Sequence, residues 1–369
     1  MNKILFITAF PPSEIAAAEK NTKIMLKDLG KHYQVDLIYF KDDSVAEYKP
    51  ESASVHVKKV VRNSKRYRLQ NVIMHPLHHP IFTVRFNGKL LHFIQKQVNE
   101  NNYTAIIFDH SQTLMYARKI IFDGPKVLLS HDVEAQRFQR TSNKLYAAWC
   151  KKSEGYVLSA MNSNVFAFCQ KDVDIIKEYY GIDANVCLDY IDERIVQHHP
   201  KQPNNRFVLF GNWKRADNYE GALWLLNGLS DCIEKPIAID VIGKHFPVEK
   251  IQRSEKVIIN VLGFVDNPYP IIAESKAMLC PLFSGAGIKV KVIESLASGT
   301  PVIGTDIAFE GFSEKYNKFM HKAQDLNTFV KEIECVNHSI EERAAFKGMF
   351  LNDYASLTIP KWLEKKLTN

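Results

Sequence analysis

Between Ser284 and Glu294 the sequence SGAGIKVKVIE places two lysines, Lys289 and Lys291, directly behind a turn carrying Gly285 and Gly287, with a glutamate, Glu294, on the following turn of chain. If a helix starts at the lysines, the backbone N–H groups from Gly285 through Ala286 and Gly287 to Ile288 lack intrahelical partners, and the helix dipole adds positive potential where they point. That is chemistry for an anion such as a phosphate, and the ammonium groups reinforce it. A second candidate lies earlier, where His131 closes the apolar run KVLLS and His110 holds the comparable position after AIIFD. An imidazole offers two distinct nitrogens, so it can hold a hydroxyl group or pass on a proton.

Such residues act only where the chain holds them, and the hydropathy pattern supplies the scaffold. KILFITAF, VDLIYF, AIIFD, KVLLS and NVFAFC read as strands separated by helical stretches. RFVLFGNW, AIDVIG, VIINVLGFV, KAMLCPLF and TPVIGTD form a second series. Alternating strands and helices with short connections predict an α/β protein with parallel, doubly wound sheets. The polar stretch DERIVQHHPKQPNNR interrupts the rhythm with two prolines and two asparagines. The expected organisation is a first domain over 1–192, a linker over 193–206, a second domain over 207–350 and a terminal segment over 351–369. Open α/β sheets hold ligands beyond the carboxyl ends of their strands, and two such domains are expected to leave a cleft there.

From Met278 to Gly311 the chain resembles the family 4 retaining glycosyltransferases of GT-B fold. In that family a strand and a glycine-rich turn lead to a helix carrying a glutamate, matched by Glu294, and to a small-Gly-x-Pro-Val-Ile stretch, matched by Ser298-Gly299-Thr300-Pro301-Val302-Ile303. An earlier glutamate of the pattern falls at Ala286, and here the chain resembles the branch that writes the turn as Gly-x-Gly-x-Lys. The resemblance implies two Rossmann-like domains facing a central cleft, and a last helix that packs back on the first domain. It also implies a nucleoside-diphosphate sugar as donor. By it, Lys289, Lys291 and the amides from Gly285 through Ala286 and Gly287 to Ile288 meet the diphosphate, Glu294 accepts hydrogen bonds from ribose hydroxyls, and His131 faces the reacting sugar.

The same resemblance extends to weaker matches. His131-Asp132-Val133-Glu134 is similar to the family's histidine-asparagine-x-glutamate, and Glu134 at spacing three from Arg137 reads equally as half of an intrahelical ion pair. Gly211, Asn212 and Lys214 resemble the first donor-domain turn beside the diphosphate. Phe264 and Val265, within Leu262-Gly263-Phe264-Val265-Asp266, resemble the segment that borders the nucleobase. Ser13 and Glu14 lie in the first turn, where Ala17-Ala18 stand in the region in which the family often carries glycines. With His110 and Glu134 they are expected on the acceptor side.

At 369 residues the chain is long enough for two cores, and its net charge of +7 is concentrated between Lys58 and Lys96, where cations alternate with Tyr67, Phe82, Phe86 and Phe93. That mixture suits an anionic membrane surface or a solvated basic face. Nucleic acid is not expected, because no recognition motif accompanies the charge. With no signal-peptide pattern and no membrane-length apolar run, the expected location is the cytoplasm, including the inner face of the membrane. The six scattered cysteines read as reduced core thiols. His75, His78 and His79 read as a loop, and Asp172-Val173-Asp174 as a charged helix start, so no metal ion and no cofactor are expected.

The expected activity is therefore retaining transfer of a sugar from a nucleoside diphosphate to a carbohydrate or lipid-linked acceptor, in polysaccharide or glycoconjugate synthesis. The alternatives are a sugar-nucleotide epimerase of the same fold and a degenerate partner of another transferase, the second motivated by Ala286 and Ala17-Ala18.

Overall fold

The computed structural model describes every residue except Ile15, Asp189, Tyr190, Arg253, Ala286, 355–357 and Asn369, and only the backbone of 367–368. The chain divides into two compact units, Met1–Asp189 with Leu357–Asn369, and Tyr190–Ser356. In the first, strands β1 (Lys3–Thr8), β2 (Gln34–Lys41), β3 (Val55–Arg62), β4 (Tyr103–Asp109), β5 (Lys126–Ser130), β6 (Val165–Ala167) and β7 (Asn185–Val186) form one parallel sheet in the order β3-β2-β1-β4-β5-β6-β7. Leu5, Ile7, Phe108 and Leu128 of the central strands are fully buried under helices. Their near-continuous apolar runs are what a sheet covered on both faces demands.

The direction of strand order reverses between β1 and β4, and there Thr8 pairs in register with Asp109. Residues after those two strand ends consequently share one crevice. The last helix, Thr358–Thr368, also belongs to this unit. Ile359 and Leu363 are fully buried, the Tyr33 hydroxyl donates to the Pro360 carbonyl at 3.5 Å, and Trp362 meets Phe166 edge-on at 5.4 Å.

In the second unit β8 (Arg206–Phe210), β9 (Ile237–Ile242), β10 (Val257–Gly263), β11 (Ala277–Cys280), β12 (Val302–Gly304) and β13 (Met320–Lys322) form a parallel sheet in the order β10-β9-β8-β11-β12-β13. Phe207, Leu209, Ile239, Leu279 and Ile303 centre its core. The stretch 193–206, expected as a linker, begins with a helix, Glu193–Gln197, that belongs to this unit. Asp192 caps it by accepting the Arg194 N–H at 2.9 Å, Ile195 is fully buried, and the Lys347 ammonium donates to the Ile195 carbonyl at 2.5 Å.

Of the cysteines, four are buried thiols as expected, whereas Cys232 and Cys335 are exposed. Among the described residues no helix is long and apolar enough to cross a membrane.

Gly243, just after β9, has φ +127°, and a Cβ there would lie 1.9 Å from the Gly211 carbonyl oxygen. Gly243→Ala is expected to lower stability by about 3 kcal/mol or more, from backbone strain added to overlap. Thermal unfolding reads this directly, and an unchanged midpoint would show that the 211–213 turn is not held against β9.

Candidate functional site

In the second unit β8 and β11 are neighbours across the reversal of strand order, so the turns that follow them open together. The Gly211 N–H and the Trp213 indole N–H both donate to the Ile242 carbonyl, at 3.1 and 3.0 Å, which fixes the first turn on β9. Asn212 accepts from the Lys214 N–H at 3.2 Å, and its own carbonyl accepts from the Asn218 amide at 2.9 Å. Lys214 itself is exposed.

The second turn brings Lys291 to the first and keeps Lys289 on itself. Lys291 Nζ donates to Asn218 Oδ1 at 2.7 Å, and a Cβ on Gly211 would lie 3.1 Å from that nitrogen, so a glycine is what admits the ammonium. Lys289 Nζ donates to the Gly287 carbonyl at 2.6 Å and stands 3.9 Å from Glu310. A Cβ on Gly285 would meet Lys289 Nζ at 3.9 Å and Asp217 Oδ2 at 4.0 Å. Gly285 and Gly287 have φ +130° and +66°, conformations that side chains resist. Burial pushes the Lys291 ammonium below the ordinary lysine range, with Asp217 among the charges that oppose the shift. The helix Val290–Ala297 starts directly behind Lys289 and Ile288 is half-buried, whereas Ala286 lies outside the described residues.

Glu294 is buried on this helix, and the Tyr269 hydroxyl lies 2.9 Å from its Oε1 and 3.0 Å from Asp192 Oδ2. A single O–H thus sits between two carboxylates, and burial, then the charges of Glu294 and Asp192, push the phenol well above its usual range and keep it protonated. Asp192 pairs with Arg194, which donates to the Asp266 carbonyl at 2.9 Å, so Glu294 is tied to the 264–266 segment through three side chains. Phe264 is 57% exposed with Lys244 Nζ 4.4 Å over its ring, and Val265 is half-buried. An exposed aromatic ring offers a flat apolar face to a planar ligand.

In the first unit the site centres on Asp109. Its Oδ2 accepts from the Thr8 and Thr22 hydroxyls, each at 2.7 Å, and its Oδ1 lies 2.7 Å from His131 Nε2. Both imidazoles that sequence singled out are here: His110 and His131 stack at 3.8 Å with 8° between planes, and His110 Nδ1 lies 3.2 Å from the same carboxylate. Burial alone would raise the Asp109 pKa. The two histidines, His110 first, override it through charge and hydrogen bonding and hold the carboxyl well below the usual carboxylate range. Burial, then the neighbouring His131, pushes His110 down. In the tautomer whose Nε2–H faces Asp109, Nδ1 of His131 is the ring's acceptor. His110 also carries φ +70°, a strained conformation for a residue with a side chain.

Donor atoms of Asp109, His110 and His131 lie within 4.8 Å of one another, as a metal site would need. Stacked imidazoles, however, aim their in-plane lone pairs along parallel planes, and these do not converge on one ion. His75, His78 and His79 turn to separate partners: Phe86, Tyr156 and the Ile81 N–H.

Glu134 opens the helix Glu134–Thr141, buried, with Oε1 accepting from Gln112 at 3.1 Å and Oε2 2.7 Å from Arg137. Gln112 also receives the Arg85 guanidinium, whose Nε donates to the Ala9 carbonyl at 2.9 Å. Below it, Glu154 accepts the Glu134 and Ala135 N–H groups at 2.9 and 2.8 Å and the Tyr180 hydroxyl at 2.7 Å. Val133, the residue before this helix, has no capping side chain, so Glu154 supplies the cap from a distant helix. Burial raises both carboxyls, Glu134 and Glu154, to about 7. Ser13 bonds Glu19, and Glu14 pairs with Lys23 at 2.8 Å, contacts local to the first turn and its helix.

Sequence reasoning missed Asp109, Glu154, Tyr269 and Asn218, whereas Asp192 closes the stretch Asp189-Tyr190-Ile191-Asp192, which is loosely similar to the family's Asn-Gly-Val-Asp before the linker. Of the missed residues Asp109 alone carried a usable signal, a carboxylate closing an apolar strand beside His110.

Residues 204–338 match the family described as glycosyl transferases group 1. No curated protein matches the chain. Among solved structures, a sucrose-phosphate synthase from Thermosynechococcus elongatus is 13% identical with TM-score 0.67, the match covering 99% of each chain. The Anabaena protein HepE in complex with UDP is 15% identical at TM-score 0.66, again over 99% of each chain. A glycosyltransferase from Rickettsia africae is 13% identical at TM-score 0.68, over 100% of this chain and 99% of that one. At such identities the likeness speaks for the fold, which is GT-B over the whole chain, and the group 1 match in the second unit adds support for glycosyl transfer.

Proposed function

We propose that this protein is a retaining, metal-independent glycosyltransferase that takes a sugar from a nucleoside diphosphate. The observation that carries the reading is the meeting of Lys291 with the Gly211–Asn218 turn, with Lys289 held on its own glycine turn at Gly287, at the carboxyl ends of two adjacent strands. The group 1 match spans both turns. On this reading the lysines and the amides around Gly285 and Gly287 neutralise the diphosphate as the bond to the sugar breaks, which is where charge develops. The acceptor hydroxyl attacks from the face the diphosphate leaves, and its proton passes to a departing phosphate oxygen. Glu294 takes the ribose hydroxyls, displacing the Tyr269 hydroxyl toward Asp192. His131, oriented by Asp109, holds a hydroxyl of the sugar or acceptor through Nδ1. The acceptor is a carbohydrate or a lipid-linked glycan of the kind used in polysaccharide synthesis.

Calorimetric titration of UDP, GDP and ADP without added metal tests the donor site. The wild type is expected to bind one of them selectively, and Glu294→Ala to weaken that binding about tenfold or more, the loss of charge-assisted hydrogen bonds. Binding of none would overturn the reading in favour of a degenerate partner. With the matching sugar nucleotides, turnover that requires an acceptor marks a transferase, whereas turnover without one marks an epimerase.

A further inference from the structure

Residues 52–99 hold nine lysines and arginines and no aspartate or glutamate, in a chain whose entire net charge is +7. The helix Lys65–Met74 lies inside this stretch. Its inward side is set by Asn71, whose amide donates to the Val84 carbonyl at 3.0 Å, and by Tyr67, whose hydroxyl donates to the Arg85 carbonyl at 3.2 Å. With a period near 3.6, Lys65, Leu69 and Ile73 follow one another along the outward stripe, with Arg66 beside them.

Leu69 and Ile73 are 61% and 65% exposed, and Met74 and Leu77, where the helix runs out, are 74% and 85% exposed. A merely solvated basic face would carry polar residues at those positions. The aromatic residues of the same stretch take no part: Phe82 and Phe86 are buried, and Tyr67 and Phe93 pack on the core. Arg68 on this helix pairs with Asp42 at 2.6 Å, Lys58 stands 3.5 Å from Asp36 and Arg85 is buried, so the exposed cations beside these large apolar side chains are Lys65 and Arg66, and that combination is complementary to one kind of surface. Anionic lipid headgroups meet the cations while the apolar groups enter the headgroup and acyl boundary.

We propose that the helix Lys65–Met74 and the turn to Leu77 dock this protein on an anionic bilayer surface. Docking there would hold the enzyme where lipid-linked acceptors are found, and the patch needs no catalytic activity to bind a bilayer.

The test is co-sedimentation of the full chain with vesicles of mixed phosphatidylglycerol and phosphatidylcholine, against vesicles of phosphatidylcholine alone. The expected result is binding to the anionic vesicles only, weakened by salt. The double variants Leu69→Ser with Ile73→Ser, and Lys65→Glu with Arg66→Glu, should each lose about tenfold or more in vesicle affinity. All four side chains face solvent, so the thermal midpoint should not move. Equal binding to neutral vesicles, or full binding by either double variant, would overturn the proposal. So would a wild-type dimer in sedimentation velocity that the Leu69→Ser, Ile73→Ser variant converts to monomer, which would assign the patch to a second copy of this chain. No sugar nucleotide enters the assay, so its failure leaves the proposed activity standing.

Discussion

Asp109→Asn is expected to slow sugar transfer by at least about a hundredfold and to destabilise the first unit by about 3–5 kcal/mol. The carboxylate is fully buried and receives the Thr8 and Thr22 hydroxyls and His131 Nε2 within 2.7 Å. An asparagine has one acceptor oxygen to offer, and its NH2 group confronts a donor that the carboxylate satisfied. His131 then loses the partner that fixes its tautomer, so the effect on rate exceeds what stability alone explains. Because the folded-state pKa of Asp109 is depressed, its contribution to stability is present above the ordinary carboxylate range and is lost as pH falls through and below about 4. Glu134 and Glu154 act in the opposite sense. Their raised values mean that their protonated forms favour folding, and this contribution is lost as pH rises toward about 7. Wild type should therefore unfold on acidification with a component that Asp109→Asn lacks. A variant with wild-type rate, midpoint and acid profile would remove Asp109 from the site.

What the sequence disclosed depended on how strongly burial marks a residue. The central strands β1, β4, β5, β8 and β11 carry near-continuous apolar runs because helices cover both faces, and those runs make them legible. Strand β3, VHVKKVVR, lies at a sheet edge with most side chains at least partly exposed, and its charges hid it. β7 and β13 are two and three residues long, too short for any pattern. The lysine-bearing turn was legible because its residues are consecutive. The partners that aim those residues are not: Asn218 is 73 positions from Lys291, and Tyr269 stands 25 from Glu294. Glu154 caps a helix whose first residue is 20 positions away, a service no local pattern announces.

The second large effect lies at Lys289 and Lys291. Lys291→Met keeps most of the buried aliphatic volume and removes the ammonium that Asn218 holds 2.7 Å away, while Lys289→Ala removes the cation whose nitrogen rests on the Gly287 carbonyl. Each is expected to weaken nucleoside diphosphate binding by about ten- to a hundredfold, the value of a charged hydrogen bond of about 1.5–3 kcal/mol. Burial has already moved Lys291 below the usual lysine range, so the folded protein keeps a partly desolvated ammonium at a cost that an arriving phosphate would relieve. Removing that ammonium should leave the fold no less stable, and Lys291→Met should hold or raise the thermal midpoint while affinity falls. The nucleoside without phosphates distinguishes the causes. If the lysines serve the diphosphate, both variants bind the nucleoside as the wild type does, and only the diphosphate loses affinity. Parallel losses for both ligands would mean that the turn had collapsed, and undiminished diphosphate binding would sink the role given to these two residues.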